Sequence, residues 1–142
     1  MMGTRAGQPP IAVTTRDYDR LVGLAAAALR RDPATAGFLA EELGRATLVE
    51  PQTIAANVVT MHSHVEFLHE PELRPQCVTL VYPDEENIAE GRISVLTPLG
   101  AALIGLSEGQ SIGWTARNGR RHRLTVLKVH FQLDAGGRVE AR

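Results

Sequence analysis

Residues 92–106 read Arg-Ile-Ser-Val-Leu-Thr-Pro-Leu-Gly-Ala-Ala-Leu-Ile-Gly-Leu, and this stretch decides the fold. The β-branched alternation in residues 92–96 predicts a strand. Thr97 supplies a hydroxyl for an N-cap, and Pro98 suits the first helical position, where its missing N–H needs no partner. The apolar positions that follow at helical spacing are Leu99, Ala102, Leu103 and Leu106, and Gly105 or Gly109 ends the helix. The stretch therefore predicts a strand, a cap and a short helix.

Upstream of this unit, the apolar spacing in residues 14–48 is helical. Thr14 or Thr15 caps the first helix, which stops before Pro33 because proline disfavours helix in the preceding residue. A second helix begins at about Ala34, with Asp32 as its cap. The short connection predicts an antiparallel helical hairpin over residues 11–50, a short coiled coil.

One apolar stripe is expected on each helix of this hairpin. The stripe residues are Tyr18, Leu21, Val22, Ala25, Ala28 and Leu29 in the first helix, and Phe38, Leu39, Leu43 and Ala46 in the second. We expect Glu41, Glu42 and Arg45 to face solvent.

Beyond the hairpin, the pattern is mostly that of strands. The predicted strands are residues 58–61, 64–68, 77–82, 92–96, 111–116 and 123–133. Asn118-Gly119 between two of them is a strong hairpin signal. The predicted fold class is α+β: a short N-terminal antiparallel helical hairpin, then an antiparallel β-sheet with one short helix over residues 51–134. Residues 1–10 and 135–142 are predicted to be flexible tails.

Composition and charge narrow the function classes. The 15 Lys and Arg are matched by 16 Asp and Glu, so the net charge of −1 argues against nucleic-acid binding through a general basic field or direct sequence readout. The single cysteine, Cys77, excludes an internal disulfide and predicts a reducing compartment, the cytoplasm. No apolar run approaches the roughly 20 residues that a membrane span requires. A soluble cytoplasmic protein is expected.

Metal binding and nucleophilic catalysis have weak signals. Alternation places His62 and His64 on one strand face without a carboxylate or a second cysteine at ligand spacing, so we interpret these histidines as surface or hydrogen-bonded residues. Cys77 is interpreted as a small core residue. The glycines lack the spacing of a dinucleotide or phosphate loop. We predict no catalytic residue, no metal and no cofactor.

Two charged clusters remain as candidates for partner contacts. A basic group at the predicted hairpin turn comprises Arg117, Arg120, Arg121 and Arg123. It can meet phosphate or an acidic protein surface, or it is simply a solvated turn. The helical hairpin tip carries Arg30, Arg31 and Asp32, which is one acid where a bound catalytic metal would require at least two converging carboxylates.

Several of these segments together resemble a known family. Residues 92–106, 79–83 (Thr-Leu-Val-Tyr-Pro) and 124–129 resemble the C-terminal domain of the bacterial transcript-cleavage factors GreA and GreB. The similarity is closer to the Rnk proteins of that family, which share Val-Val-Thr-Met at residues 58–61 and Gly-Ala-Ala-Leu at residues 100–103.

The resemblance covers most of the chain, and it implies a fold, a partner and a site. The implied fold of the C-terminal region is FKBP-like. The implied partner is RNA polymerase, at the rim of its secondary channel, with the helical hairpin directed toward the pore. By the resemblance, Leu96, Thr97, Pro98 and Leu99 lie on the polymerase-binding surface.

Two departures from the Gre pattern bear on mechanism. Gre factors carry paired acids at a long coiled-coil tip that help hold the second catalytic magnesium, whereas this tip has only Asp32, with Thr35 three residues on. Helices of about 16 residues extend only about 24 Å. We therefore expect a non-enzymatic, monomeric regulator that competes with Gre factors without cleaving transcripts.

Two enzymatic alternatives stay open. One is a cleavage factor that uses Asp32. The other is a peptidyl-prolyl isomerase, which only the FKBP-like fold suggests; three Phe, two Tyr and one Trp are few for an aromatic-lined pocket.

Overall fold

Ten helices and strands follow one another in the computed structural model, which describes residues 8–70, 72–116 and 118–131. In chain order they are β1 (Ala12–Thr14), α1 (Thr15–Ala28), α2 (Pro33–Gly44), β2 (Thr47–Val49), β3 (His64–Glu70), β4 (Glu72–Val81), β5 (Arg92–Ser94), α3 (Pro98–Leu103), β6 (Ser111–Thr115) and β7 (Arg121–Phe131). Short 3₁₀ turns at Pro83–Glu85 and Ile88–Glu90 connect β4 to β5. Of the two predicted tails, only residues 8–10 are among the described residues. The predicted last strand is described up to residue 131.

The helical hairpin forms where its caps predict. Thr14 Oγ1 accepts a hydrogen bond from the backbone N–H of Asp17 at 3.0 Å. Asp32 Oδ1 accepts one from the N–H of Thr35 at 3.2 Å, and Pro33 occupies the first helical turn. The helices have 14 and 12 residues, slightly fewer than expected. β1 precedes the two helices and β2 follows them, and the parallel pairing of these two strands was not predicted.

The buried stripe of α1 is narrower than predicted. Leu21, Ala25 and Ala28 are buried, but Val22 is 41% exposed and Leu29 is 53% exposed, so placing these two in the core was wrong. Each lies one residue, about 100°, around the helix from a buried neighbour. The side chains that contact the core are therefore those spaced three or four residues apart along one side of α1.

The predicted solvent position of Glu42 is also wrong. Glu42 is fully buried, and Arg45 donates to both of its carboxylate oxygens, at 3.1 and 2.8 Å. Burial raises the pKa of Glu42, and the hydrogen bonds and charge of Arg45 oppose that rise. Arg45 also donates to the carbonyl oxygen of Pro9, so it joins α2 to the start of the described chain.

Five strands form one sheet in the order β5-β4-β3-β7-β6. The β3–β4, β3–β7 and β6–β7 pairs are antiparallel as expected, but β5 lies parallel to β4, which corrects the all-antiparallel prediction. The strand predicted at residues 58–61 is absent. Val58 forms an isolated bridge to Ser107, and the N–H of Val59 bonds to the loop carbonyl of Leu106.

One hydrophobic core joins the helical hairpin, α3 and one face of the sheet. Phe38 of α2 lies 6.0 Å, centroid to centroid, from Trp114 of β6. Asp17 of α1 accepts a hydrogen bond from the N–H of Met61 at 3.3 Å. Because the helices cover this face, the side chains that alternate with the core residues form a second, outer face. Among the described residues, no helix has the length and apolar character needed to cross a membrane.

Candidate functional site

A hydrogen-bonded network holds the connection between β5 and α3. The N–H of Leu96 donates to Ser94 Oγ at 2.9 Å. Thr97 Oγ1 donates to the carbonyl oxygen of Ser94 at 2.7 Å and accepts from the N–H of Gly100 at 3.0 Å. The predicted N-cap is therefore confirmed, and the same hydroxyl also fixes the end of β5.

Gly100 allows α3 to lie directly against the backbone of β5. A Cβ atom at this position would be 2.2 Å from the carbonyl oxygen of Ser94 and 2.8 Å from Cα of Val95. No side chain fits at that separation, so only glycine permits this contact. Sequence reasoning missed this role, because residue spacing along a helix does not reveal how closely another segment approaches.

We name residues 96–99, which the family resemblance predicts to contact the polymerase, the docking segment. Pro98 is exposed, whereas Leu96, Thr97 and Leu99 are half-buried. Both leucines pack against the core, and Gly100 to Leu103 behind them are buried. The segment is therefore a small apolar surface on a firmly held support.

The hairpin tip combines two exposed cations with one engaged acid. Arg30 and Arg31 are exposed, and Asp32 is half-buried. The N–H of Asp32 bonds to the carbonyl oxygen of Ala28 at 3.0 Å, while its carboxylate caps α2 through Thr35. The three predicted tip residues thus lie together, and the acid has a structural role.

The basic turn lies at the opposite edge of the sheet from the docking segment. Arg120, Arg121 and Arg123 are exposed at the β6–β7 turn, and Arg117 lies outside the described residues. Arg123 Nε is 3.8 Å from Glu70 Oε2. Since β5 and β6 are the two edge strands, the structure does not bring the basic turn and the docking segment into one site.

His62 and His64 are hydrogen-bonded to Glu85 and Thr79, as interpreted, but the predicted strand position of His62 and the predicted core position of Cys77 were wrong. His62 precedes β3 with a φ of 70°, so it does not share a strand face with His64. His62 Nε2 lies 2.8 Å from Glu85 Oε1, and this hydrogen bond is the main cause of the lowered pKa of Glu85. Cys77 is exposed on the outer sheet face instead of buried in the core.

A stack of aromatic rings on β3, β6 and β7 was not predicted. Trp114 lies 5.3 Å from His122 and 5.9 Å from His69, with ring planes 14° and 13° apart. His69 Nε2 is 3.1 Å from His122 Nδ1. Burial, followed by the charge of His122, lowers the pKa of His69. The hairpin at Asn118-Gly119 sets a register that pairs Trp114 with His122. This pair of stacked rings could therefore have been predicted from the sequence.

Two family models match successive parts of the chain. Residues 9–49 match the family described as Rnk N-terminus. Residues 54–131 match the family described as transcription elongation factor, GreA/GreB, C-terminal.

Individual relatives agree with these matches. The regulator of nucleoside diphosphate kinase from Escherichia coli K12 is 35% identical over 135 residues, which is 92% of this chain and 96% of that protein. Transcription elongation factor GreA from Acidiphilium cryptum is 32% identical over 93 residues, 66% of this chain and 59% of that protein.

A solved structure supports the same assignment. The prokaryotic transcription elongation factor GreA/GreB from Nitrosomonas europaea is 35% identical, with a TM-score of 0.66 over 84% of this chain and 98% of that one. The expected fold, a helical region followed by a Gre-type C-terminal domain, is therefore confirmed. The chain belongs to the Rnk proteins of the GreA/GreB transcription elongation factor family.

Proposed function

We propose that this protein is a transcription regulator that binds RNA polymerase as a monomer at the secondary-channel rim and competes there with Gre factors without stimulating transcript cleavage. Membership of the family supports the regulatory role. The observation that carries the non-cleaving part is the use of Asp32 as the N-cap of α2.

The docking segment supports binding through apolar contact. The hydroxyl of Thr97 is already engaged with Ser94 and Gly100, so the segment presents mainly the ring of Pro98 and the exposed parts of two leucines. A rigid apolar surface loses little conformational freedom on binding, which favours affinity. Thr97 then positions the segment, and Pro98 makes the contact.

The hairpin tip opposes metal-dependent cleavage. Magnesium at a transferring phosphate is held by carboxylates together with the substrate, and one Asp32 oxygen already accepts the N–H of Thr35. Arg30 and Arg31 add two exposed positive charges beside it. These charges repel a second cation and attract phosphate or acidic side chains instead.

The length of the hairpin points the same way. At about 1.5 Å per residue, α1 and α2 extend only about 21 and 18 Å. We expect a tip on such short helices to enter the channel without reaching its catalytic centre. The name of the Escherichia coli relative states that it regulates nucleoside diphosphate kinase. A similar influence of this protein would follow from altered transcription.

A stalled elongation complex tests the proposal directly. The protein should bind core polymerase, leave the transcript intact on its own and reduce GreA-stimulated cleavage in proportion to occupancy. The Thr97→Asp, Pro98→Ala double variant should lose binding while it remains folded. Cleavage by this protein alone that disappears in Asp32→Asn would identify a cleavage factor instead. Absence of both binding and competition would refute the proposal.

A further inference from the structure

The outer face of the sheet brings three metal-binding side chains together. Glu66 of β3, Cys77 of β4 and His130 of β7 each place one ligand atom within 4.8 Å of the other two. Cys77 is exposed, and the other two are half-buried. This face lies on the side of the sheet opposite the core, and neither the docking segment nor the hairpin tip includes any of these residues.

Strand register explains why the three side chains meet. Glu66 and Cys77 are direct cross-strand partners in the β3–β4 pair, so their side chains project from the same face. A bulge interrupts the β3–β7 pair, where His64 pairs with Phe131 and Val65 pairs with Val129. His130 is the extra residue of that bulge, and bulges commonly redirect a side chain. As a result, His130 Nε2 lies 3.3 Å from Glu66 Oε1.

We propose that Glu66, Cys77 and His130 bind one divalent cation of the zinc class, with the remaining coordination position open to water. A thiolate, an imidazole and a carboxylate are the ligand types that Zn²⁺ combines, whereas Mg²⁺ and Ca²⁺ prefer oxygen ligands alone. Three protein ligands with one open position is a common zinc arrangement.

The distances allow this with small side-chain movements. Zinc–ligand bonds of about 2.0–2.3 Å at tetrahedral angles separate neighbouring ligand atoms by roughly 3.3–3.8 Å. The His130–Glu66 separation already has that value, and Cys77 requires a shift of about 1.5 Å at most. All three side chains border solvent, so a rotamer change meets little packing resistance.

Local charge is unfavourable to the thiolate until a cation arrives. Partial desolvation, followed by the charge of Glu66, raises the pKa of the Cys77 thiol. A bound Zn²⁺ reverses this effect: the sulfur–zinc bond forms as the S–H bond breaks, and the proton passes to the buffer. Lys128, the register partner of Glu66, adds a competing positive charge on this face. The site should therefore be weaker than a four-ligand structural zinc site.

A spectroscopic titration of the untagged full-length protein with Co²⁺ tests the site. Co²⁺ bound to a thiolate gives a near-ultraviolet charge-transfer band, which should saturate at one equivalent and disappear on adding Zn²⁺. Cys77→Ser should abolish the band. Glu66→Gln and His130→Gln should each weaken Zn²⁺ binding by more than about tenfold, the lower end of the loss produced by removing a ligand's hydrogen-bond partner.

Matched controls make the result decisive. Glu70→Gln removes an exposed carboxylate from the same strand and should leave Zn²⁺ affinity unchanged. Circular dichroism should show that every variant is folded, since the substituted side chains lie outside the core. The proposal is overturned if wild-type protein saturated with Co²⁺ shows no thiolate band, or if Cys77→Ser and His130→Gln bind Zn²⁺ as tightly as wild type does. Neither result depends on polymerase binding.

Discussion

The hairpin tip and the docking segment begin with the same local chemistry and end in different environments. In each, a side-chain cap is followed by proline at the first helical position: Asp32-Pro33 before α2 and Thr97-Pro98 before α3. In each, the cap accepts a hydrogen bond from the N–H three residues on. The caps explain where both helices start, but they do not explain what either region does.

The difference lies at the third helical position. In α2 this position is Thr35, whose side chain is buried, while Arg30 and Arg31 at the tip are exposed. In α3 it is Gly100, where even a Cβ atom would overlap the backbone of β5. The start of α2 thus lies beside two exposed arginines, Arg30 and Arg31, and the start of α3 is fixed to the backbone of β5. Under the proposed function, the first would enter the channel and the second would support docking.

Substitution of Gly100 should have the largest effect on this contrast. Gly100→Ala places a methyl group 2.2 Å from the Ser94 carbonyl oxygen, so α3 must move. We expect the free energy of unfolding to fall by about 1–3 kcal/mol, the usual cost of overpacking, and polymerase binding to fall with it. Gly37→Ala in α2 is the control, since nothing lies within 4 Å of its added Cβ. It should stabilise the protein by about 0.5–1 kcal/mol.

Equal losses from the two alanine substitutions, measured by denaturant unfolding, would contradict the close contact between α3 and β5. Retention of wild-type polymerase affinity by folded Gly100→Ala protein would contradict binding through the docking segment.

Removal of each of the two caps should lower stability by less than the most disruptive effect expected for Gly100→Ala, and the two losses should be unequal. Asp32→Ala loses one capping hydrogen bond, worth about 1 kcal/mol. Thr97→Ala loses the cap and also the 2.7 Å bond to Ser94, so a total of about 2 kcal/mol is expected. Thr97→Ser keeps both bonds and should restore most of the stability. Denaturant unfolding measures all three, and equal stability of Thr97→Ala and Thr97→Ser would show that the two hydroxyl bonds contribute nothing.

The two prolines should differ in binding and not in folding. Pro98→Ala removes an exposed ring from the docking segment, and Pro33→Ala removes one from the corresponding position at the tip. Loss of an interface anchor costs more than about 1 kcal/mol, so polymerase affinity should fall about fivefold or more for Pro98→Ala and little for Pro33→Ala. Competition with GreA in the stalled complex provides the measurement. A larger loss for Pro33→Ala would move the main contact to the tip.

Local signals made much of this fold predictable, and long-range contacts account for the errors. Caps, prolines and the Asn118-Gly119 turn are read from neighbouring residues, and the elements they predict are present. The parallel β5–β4 pair, the burial of Glu42 and the need for glycine at residue 100 each depend on a segment distant in the chain. The same applies to Glu66, Cys77 and His130, because strand order alone brings these three residues together on the outer face.

Acidification should have the smallest effect of these tests. It should lower stability through the surroundings of α2 and not through those of α3. Phe38 of α2 packs on Trp114, which stacks on His69 and His122, so the support of α2 contains titratable rings. The pKa of His69 is lowered from its ordinary 6.5 by burial and by His122, with Glu72 opposing. As pH falls through about 6.5, the unfolded chain therefore binds a proton before the folded chain does, and stability decreases.

The expected result is a lower unfolding midpoint at pH 5.5 than at pH 7.5, and a smaller difference between the two in His69→Gln. Some pH dependence should persist, because the pKa of His64 on the outer face is also lowered. If His69→Gln kept the full difference, the stack would not be coupled to folding through its protonation. A smaller difference in the variant would mean that protonation weakens the support of α2, while α3 rests on hydrogen bonds and close backbone contact that do not titrate in this range.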